Sequence, residues 1–201
     1  MIQTVATSHC VARAAKAAVL VATMLALVPG AAGAQPSDDK VQLCNACHGE
    51  NGMPQDKTIP VIWGQQQGYL YLQLRDYKRG DRQNEPMQAV VAEMERSDMM
   101  ALAEYYSQKP WPDLRQPRPP EPVATQALRA NVALGCTGCH LGEYQGAGTQ
   151  PRLAGQIKDY MASTMIAFRT GERGNNPGMS DLMKAISEED IAALAEYLAG
   201  L

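Results

Sequence analysis

The chain has 201 residues, and its 18 basic and 21 acidic side chains give a formal net charge of −3 at pH 7. A mildly acidic chain without a clustered basic surface argues against nucleic acid as a partner. Cysteines and histidines are few, five and three respectively, so the spacing of each one can be interpreted individually.

Residues 1–34 have the pattern of a secretory signal peptide. Arg13 and Lys16 are their only charged residues, an apolar run of twelve follows, and residues 32–34 form an A-x-A cleavage site. Because a transmembrane helix needs about 20 apolar residues, an uncleaved anchor is the weaker alternative. We expect cleavage after Ala34, which also removes His9 and Cys10, and export to the periplasm of a chain that is soluble or peripheral to the membrane.

Two Cys-x-x-Cys-His motifs stand 92 residues apart, at 44–48 and 136–140. This pattern is typical of covalent c-type haem attachment. Residues three and four apart share one face of a helical turn, so two thiols reach one porphyrin while the histidine faces its iron. The predicted set is Cys44, Cys47 and His48 for one haem and Cys136, Cys139 and His140 for the other. Two disulfides would not explain why a histidine follows each pair, and a zinc site lacks the usual finger spacing.

The two halves of the exported chain repeat each other at an offset of 91 or 92 residues, which indicates a duplicated unit. A segment with six prolines in fourteen residues separates the copies, and such a segment favours a stiff, extended path. The predicted organisation is a signal peptide at 1–34, a first domain at 35–108, a proline-rich linker at 109–122 and a second domain at 123–201.

Helix signals dominate both copies and strand signals are few, so the sequence predicts an all-α fold. We expect helices before each motif, at 38–46 and 126–134, with Ser37 and Thr125 as N-caps. Middle helices at 68–78 and 158–169 should close at Gly80 and Gly171. A capping box beginning at Ser187 should open the final helix.

The sixth position of each iron decides whether such a haem is open or closed. Most of the 11 methionines fit an apolar core, but Met87 and Met179 each lie 39 residues after their motif histidine. They occupy the same place in the repeat, which predicts Met87 and Met179 as axial ligands. Met94 and Met183 are the alternatives.

These residues resemble those of the cytochrome c4 family, the two-domain, two-haem class I cytochromes c. The resemblance covers essentially all of the chain after residue 34. The motifs that carry it are Cys44-Asn-Ala-Cys-His-Gly-Glu-Asn-Gly52, Pro60-x-x-x-Gly-Gln65, Asn84-x-Pro-Met87, Pro151-Arg-Leu-Ala-Gly-Gln156 and Ser187-Glu-Glu-Asp190. Leu141 and Trp63 depart from the family pattern, which bears on local packing rather than on haem binding.

The resemblance implies two tandem domains that pack through their haem edges and carry electrons rather than catalyse a reaction. The implied donor is a quinol–cytochrome c oxidoreductase and the implied acceptor is a haem–copper terminal oxidase. An alternative is the electron-accepting subunit of a periplasmic dehydrogenase acting on sulfide, thiosulfate or an alcohol. A dihaem peroxidase needs an open or differently ligated haem, against which the paired methionines argue.

Residues around the expected haems have less specific signals. The resemblance implies that Pro60 and Pro151 each place a backbone carbonyl against the ligand histidine. Four arginines recur near the axial loops and either pair with haem propionates or form ordinary surface charge: Arg79, Arg82, Arg169 and Arg173.

Overall fold

A computed structural model of the protein describes Met1 and residues 35–201. In that part of the chain all of the regular secondary-structure elements are helices. The predicted signal peptide, with His9 and Cys10, lies outside the described residues apart from Met1. The nine α-helices of residues 35–201 are α1 Asp38–His48, α2 Gln67–Arg79, α3 Glu85–Val91, α4 Arg96–Ser107, α5 Glu121–Leu134, α6 Cys136–His140, α7 Lys158–Thr170, α8 Pro177–Lys184 and α9 Glu188–Ala199. The prediction of an all-α fold is confirmed. None of the helices described is both long and apolar enough to cross a bilayer.

Local signals account for several helix ends. Gly80 and Gly171 both adopt the left-handed conformation directly after α2 and α7, as predicted. The Ser187 hydroxyl accepts a hydrogen bond from the Asp190 backbone N–H at 3.1 Å and caps α9.

Helix α5 begins five residues before the predicted start. It opens at Glu121 with Pro122 in its first turn, so Thr125 lies inside the helix and is not its N-cap. Proline is tolerated there because the first N–H groups of a helix have no partner within it. The last two residues of the predicted linker are therefore helical.

Each half of the chain packs around its own apolar residues. In the first half, α2 contacts α3 and α4. In the second half, α9 contacts α5 and α7, and α7 also contacts α8. The buried side chains include Leu70, Val91 and Leu102 in the first half and Phe168, Ile191 and Leu194 in the second. The amphipathic face of α9 supplies two of these, as its spacing predicts.

Residues 109–120 form an extended connector that touches both halves. Gly64 has a φ of +67°, and a Cβ there would lie 2.9 Å from the Trp111 backbone nitrogen. The Arg152 guanidinium lies 4.5 Å from the centre of the Trp111 ring. The Gln116 side-chain amide donates to the Gln156 carbonyl at 2.8 Å. These contacts attach the connector to the first half at Gly64 and to the second half at Arg152 and Gln156.

Candidate functional site

A cavity of about 1150 Å³ lies between the two halves and is lined by residues of both. This volume exceeds the roughly 300–1,000 Å³ usual for one small-molecule site. Six of the eight side chains predicted to hold haem line it: Cys44, Cys47, His48, Met87, His140 and Met179. The other two, Cys136 and Cys139, lie on α6 with His140.

Both motif histidines are buried and hydrogen-bonded in the same way. His48 Nδ1 lies 2.8 Å from the Pro60 carbonyl oxygen, and His140 Nδ1 lies 3.0 Å from that of Pro151. Because a carbonyl only accepts, Nδ1 carries the proton and the Nε2 lone pair is left for a metal. Burial lowers the pKa of both histidines more than the carbonyl raises it, so both rings are neutral, as iron ligation requires. The carbonyl contacts expected of Pro60 and Pro151 are present.

None of the four motif cysteines forms a disulfide. Cys44 and Cys136 are half-buried against apolar residues, whereas Cys47 and Cys139 are exposed. Burial raises the pKa of the Cys44 and Cys136 thiols. Within residues 35–201 no group of three or more His, Cys, Asp or Glu side chains has the arrangement of a metal-ion site.

Met87 and Met179 lie in the first turns of two short helices, α3 and α8, which are not among the predicted elements. The Asn84 side chain accepts from the Met87 backbone N–H at 3.1 Å, and Asn176 accepts from that of Met179 at 3.2 Å. Each helix also has proline in its first turn. The signal was present, since asparagine followed by proline is typical of a helix N-terminus.

The two alternative methionines occupy different surroundings. Met94 and Met183 are each 2% exposed and pack inside the apolar cores of the two halves. Neither lines the cavity, whereas Met87 and Met179 both do. The geometry therefore favours Met87 and Met179 over their alternatives.

Two arginines of the cavity wall bind across the junction of the halves. Arg82 donates to the Tyr160 hydroxyl at 3.1 Å, and Arg173 donates to the Tyr69 hydroxyl at 3.4 Å. Both also donate to the Gln73 side-chain oxygen, at 3.0 and 2.8 Å. Arg82 and Arg173 are 9% and 7% exposed, and none of these acceptors is a carboxylate.

No carboxylate of residues 35–201 lies within 4.0 Å of the Arg82 or Arg173 guanidinium group. The buried carboxylate nearby, Asp76, is paired with Arg75 at 2.7 Å. Burial raises the pKa of Tyr160, but the two guanidinium charges outweigh this and lower it. Since buried cations need a counter-charge, the cavity has the electrostatics of an anion site. The carboxylates of haem propionates meet that requirement, so the donor set and the charge of the cavity both fit haem.

The other two arginines singled out in the sequence have different surroundings. Arg79 is exposed and does not line the cavity. Arg169 donates to the Met183 and Lys184 carbonyls at 3.2 Å, and it also binds the Ile186 carbonyl. It therefore stabilises the C-terminal end of α8 rather than contributing to the cavity.

No sequence motif assigns a specific role to Gln65 or Gln156, yet each is only 3% exposed. Both side chains form hydrogen bonds to the backbone of the opposite half. Their equivalent positions in the repeat indicate that both have the same role, but no local pattern indicates which residues they contact.

Comparisons with known proteins agree with this geometry. The cytochrome c family model matches residues 126–201. The chain is 33% identical to cytochrome c4 of Azotobacter vinelandii, over 87% of this chain and 92% of the relative. It is 31% identical to a thiosulfate dehydrogenase electron acceptor of Stutzerimonas stutzeri, over 84% of this chain and 82% of the relative. The structure of Acidithiobacillus ferrooxidans cytochrome c4 superposes with a TM-score of 0.72 at 28% identity, over 80% of this chain and 99% of that one.

Proposed function

This chain belongs to the cytochrome c4 family, and we propose that it is a periplasmic carrier of single electrons between respiratory proteins. It carries covalently bound haem c, one group for each Cys-x-x-Cys-His motif. The iron of each bound haem supplies a one-electron couple. The residues described above bind each haem, form the surroundings of its iron and limit access to that iron.

In this proposal residues 35–108 bind one haem and residues 123–201 the other. Cys44 and Cys47 attach the first haem, and Cys136 and Cys139 attach the second. His48 and Met87 would ligate the iron of the first haem, and His140 and Met179 that of the second. Arg82 and Arg173 bind propionate carboxylates, for which charge-assisted hydrogen bonds are well suited.

The observation that carries the proposal is that a histidine and a methionine of each half line one cavity. A thioether in the sixth position leaves no iron site open to substrate, which is the arrangement of an electron carrier rather than of an enzyme. The Pro60 and Pro151 carbonyls fix the orientation of the histidine rings, so that ligand geometry changes little when the charge on iron changes.

Replacing the methionines one at a time tests this ligation. Met87→Ala and Met179→Ala should each remove part of the methionine-to-ferric-haem charge-transfer band while haem content stays at two per chain. Met94→Leu and Met183→Leu are the matched controls, because they keep the core apolar and should leave the band intact. Loss of the band in a control, or a full band in both alanine variants, would contradict the assignment.

The partners we propose are a quinol–cytochrome c oxidoreductase as donor and a haem–copper oxidase as acceptor. The likeness to the Stutzerimonas stutzeri electron acceptor supports a second candidate, that this chain accepts electrons from a thiosulfate dehydrogenase. Stopped-flow reduction of the full chain by each purified donor separates the two. Reduction by the quinol-oxidising complex alone supports the first candidate, and reduction only by the dehydrogenase with thiosulfate supports the second.

A further inference from the structure

Gln156 binds the backbone of Val61, in the first half, with both ends of its side-chain amide. Its Oε1 accepts from the Val61 backbone N–H at 2.9 Å, and its Nε2 donates to the Val61 carbonyl at 3.0 Å. The same oxygen accepts from the Ile157 N–H at 2.9 Å. Both of its lone pairs are therefore used, and this requirement for two N–H donors fixes which end of the amide faces Val61.

Gln65 makes the same contacts in the opposite direction. Its Oε1 accepts from the Arg152 N–H at 2.7 Å and from the Gln66 N–H at 2.9 Å. Its Nε2 donates to the Arg152 carbonyl at 2.9 Å. The two glutamines therefore exchange equivalent hydrogen bonds across the junction.

The peptide group that donates its N–H to each glutamine also binds a motif histidine through its carbonyl. The Val61 N–H and the Pro60 carbonyl belong to one peptide group, and that carbonyl accepts from His48 Nδ1 at 2.8 Å. An unbroken series of hydrogen bonds thus runs from Gln156 in the second half to His48 in the first.

The second series mirrors the first. The Arg152 N–H, held by Gln65, shares its peptide group with the Pro151 carbonyl, which accepts from His140 Nδ1 at 3.0 Å. Each motif histidine is therefore connected through one peptide group to a glutamine of the opposite half.

Hydrogen bonds in series polarise one another. When the peptide N–H donates to glutamine, its carbonyl becomes a stronger acceptor and draws the Nδ1 proton of histidine more firmly. The imidazole then donates more electron density through Nε2, and this favours the oxidised state of an iron bound there. Losing the glutamine oxygen should therefore raise the reduction potential of that iron.

We infer that Gln156 is a positioning residue that lowers the reduction potential of the first-half haem, and that Gln65 does the same for the second-half haem. The inference rests on the proposed ligation by His48 and His140. It makes each potential depend on the packing of the two halves, since either glutamine loses its peptide partner when the halves separate.

The test is a spectroelectrochemical titration of the full haem-loaded chain. Gln156→Met, which has similar length but only a weak sulfur acceptor, should shift the first-half haem to a more positive midpoint potential and leave the potential of the second-half haem unchanged. Gln65→Met should shift the second-half haem to a more positive midpoint potential and leave the potential of the first-half haem unchanged. The first-half haem is identified as the one whose potential falls in Met87→His, because histidine in place of methionine lowers the potential.

Gln66→Met is the matched control. The Gln66 side chain also crosses the junction, donating to the Gln145 carbonyl at 3.0 Å, but it forms no hydrogen bond to either proline peptide. It should leave both potentials unchanged. Equal shifts in this control and in Gln156→Met would mean that general loosening of the junction is the cause, and would overturn the inference.

Gln156→Glu retains an oxygen acceptor for the Val61 N–H and tests the proposed cause. Its first-half potential should equal that of the wild type or lie below it. A rise like that of Gln156→Met, or a shift confined to the second-half haem, would overturn the inference.

A failure of the ligation itself is distinguishable, because the wild-type spectrum would then lack the methionine-to-ferric-haem band. If Gln156→Met does not fold, Gln65→Met and Gln156→Glu test the same point independently.

Discussion

Replacing Arg82 with methionine tests the charge balance of the cavity. The guanidinium is 9% exposed and donates to Tyr160 and Gln73, and methionine keeps the apolar stem but removes the charge. With propionates bound, the change leaves a buried carboxylate unpaired, at a cost of about 3–5 kcal/mol. Since 1 kcal/mol shifts Tm by about 2–4 °C in a chain of this size, we expect Tm to fall by roughly 6–20 °C.

Arg79→Met is the matched control for that variant. Arg79 lies three residues earlier but is exposed, so its loss should change the free energy of unfolding by no more than about 0.5 kcal/mol. The assay is thermal unfolding followed by circular dichroism, on haem-loaded samples with equal haem content. If Arg82→Met lowers Tm no further than Arg79→Met does, the cavity holds no anion beside Arg82 and the propionate assignment is wrong.

Three further predictions concern stability. Asn84→Ala removes the cap of α3 and should cost about 0.5–2 kcal/mol in urea unfolding, and an unchanged midpoint would exclude a role for the cap. Gly64→Ala should lower Tm more than Gly171→Ala; both have positive φ, but a Cβ meets the connector backbone only at Gly64. Equal losses would mean that the connector contact adds nothing. The hydrogen bond from Lys40 lowers the Asp98 pKa, so this pair stabilises the fold above the ordinary pKa of 3.8 and is lost at lower pH. Asp98→Asn should therefore reduce the loss of stability in acid titration, and an unchanged acid transition would contradict this.

Local patterns predicted much of the fold because their causes are local. The motif spacing, the left-handed Gly80 and Gly171 and the cap at Ser187 each depend on a few neighbouring residues. The start of α5 differs from the predicted one because proline ends regular structure in a helix interior but is compatible with the first turn of a helix.

Features that depend on contact between the halves were not predictable from one sequence. The sequence predicts the same two alternatives, propionate binding or surface charge, for all four arginines near the axial loops. Only their burial in the structure distinguishes Arg82 and Arg173 from the exposed Arg79. The partner of Gln156 is Val61, 95 positions away, and no local pattern indicates that pairing. It follows from the packing of two duplicated units, which neither unit encodes alone.

Carbon monoxide binding tests the central claim, that both haems are closed sites of an electron carrier. Carbon monoxide binds ferrous haem where the sixth position is open. We predict that the reduced full-length protein shows no spectral change on mixing with carbon monoxide at neutral pH. Met87→Ala is the positive control and should bind it at one haem only. Prompt binding by the unaltered chain at either haem would contradict the account.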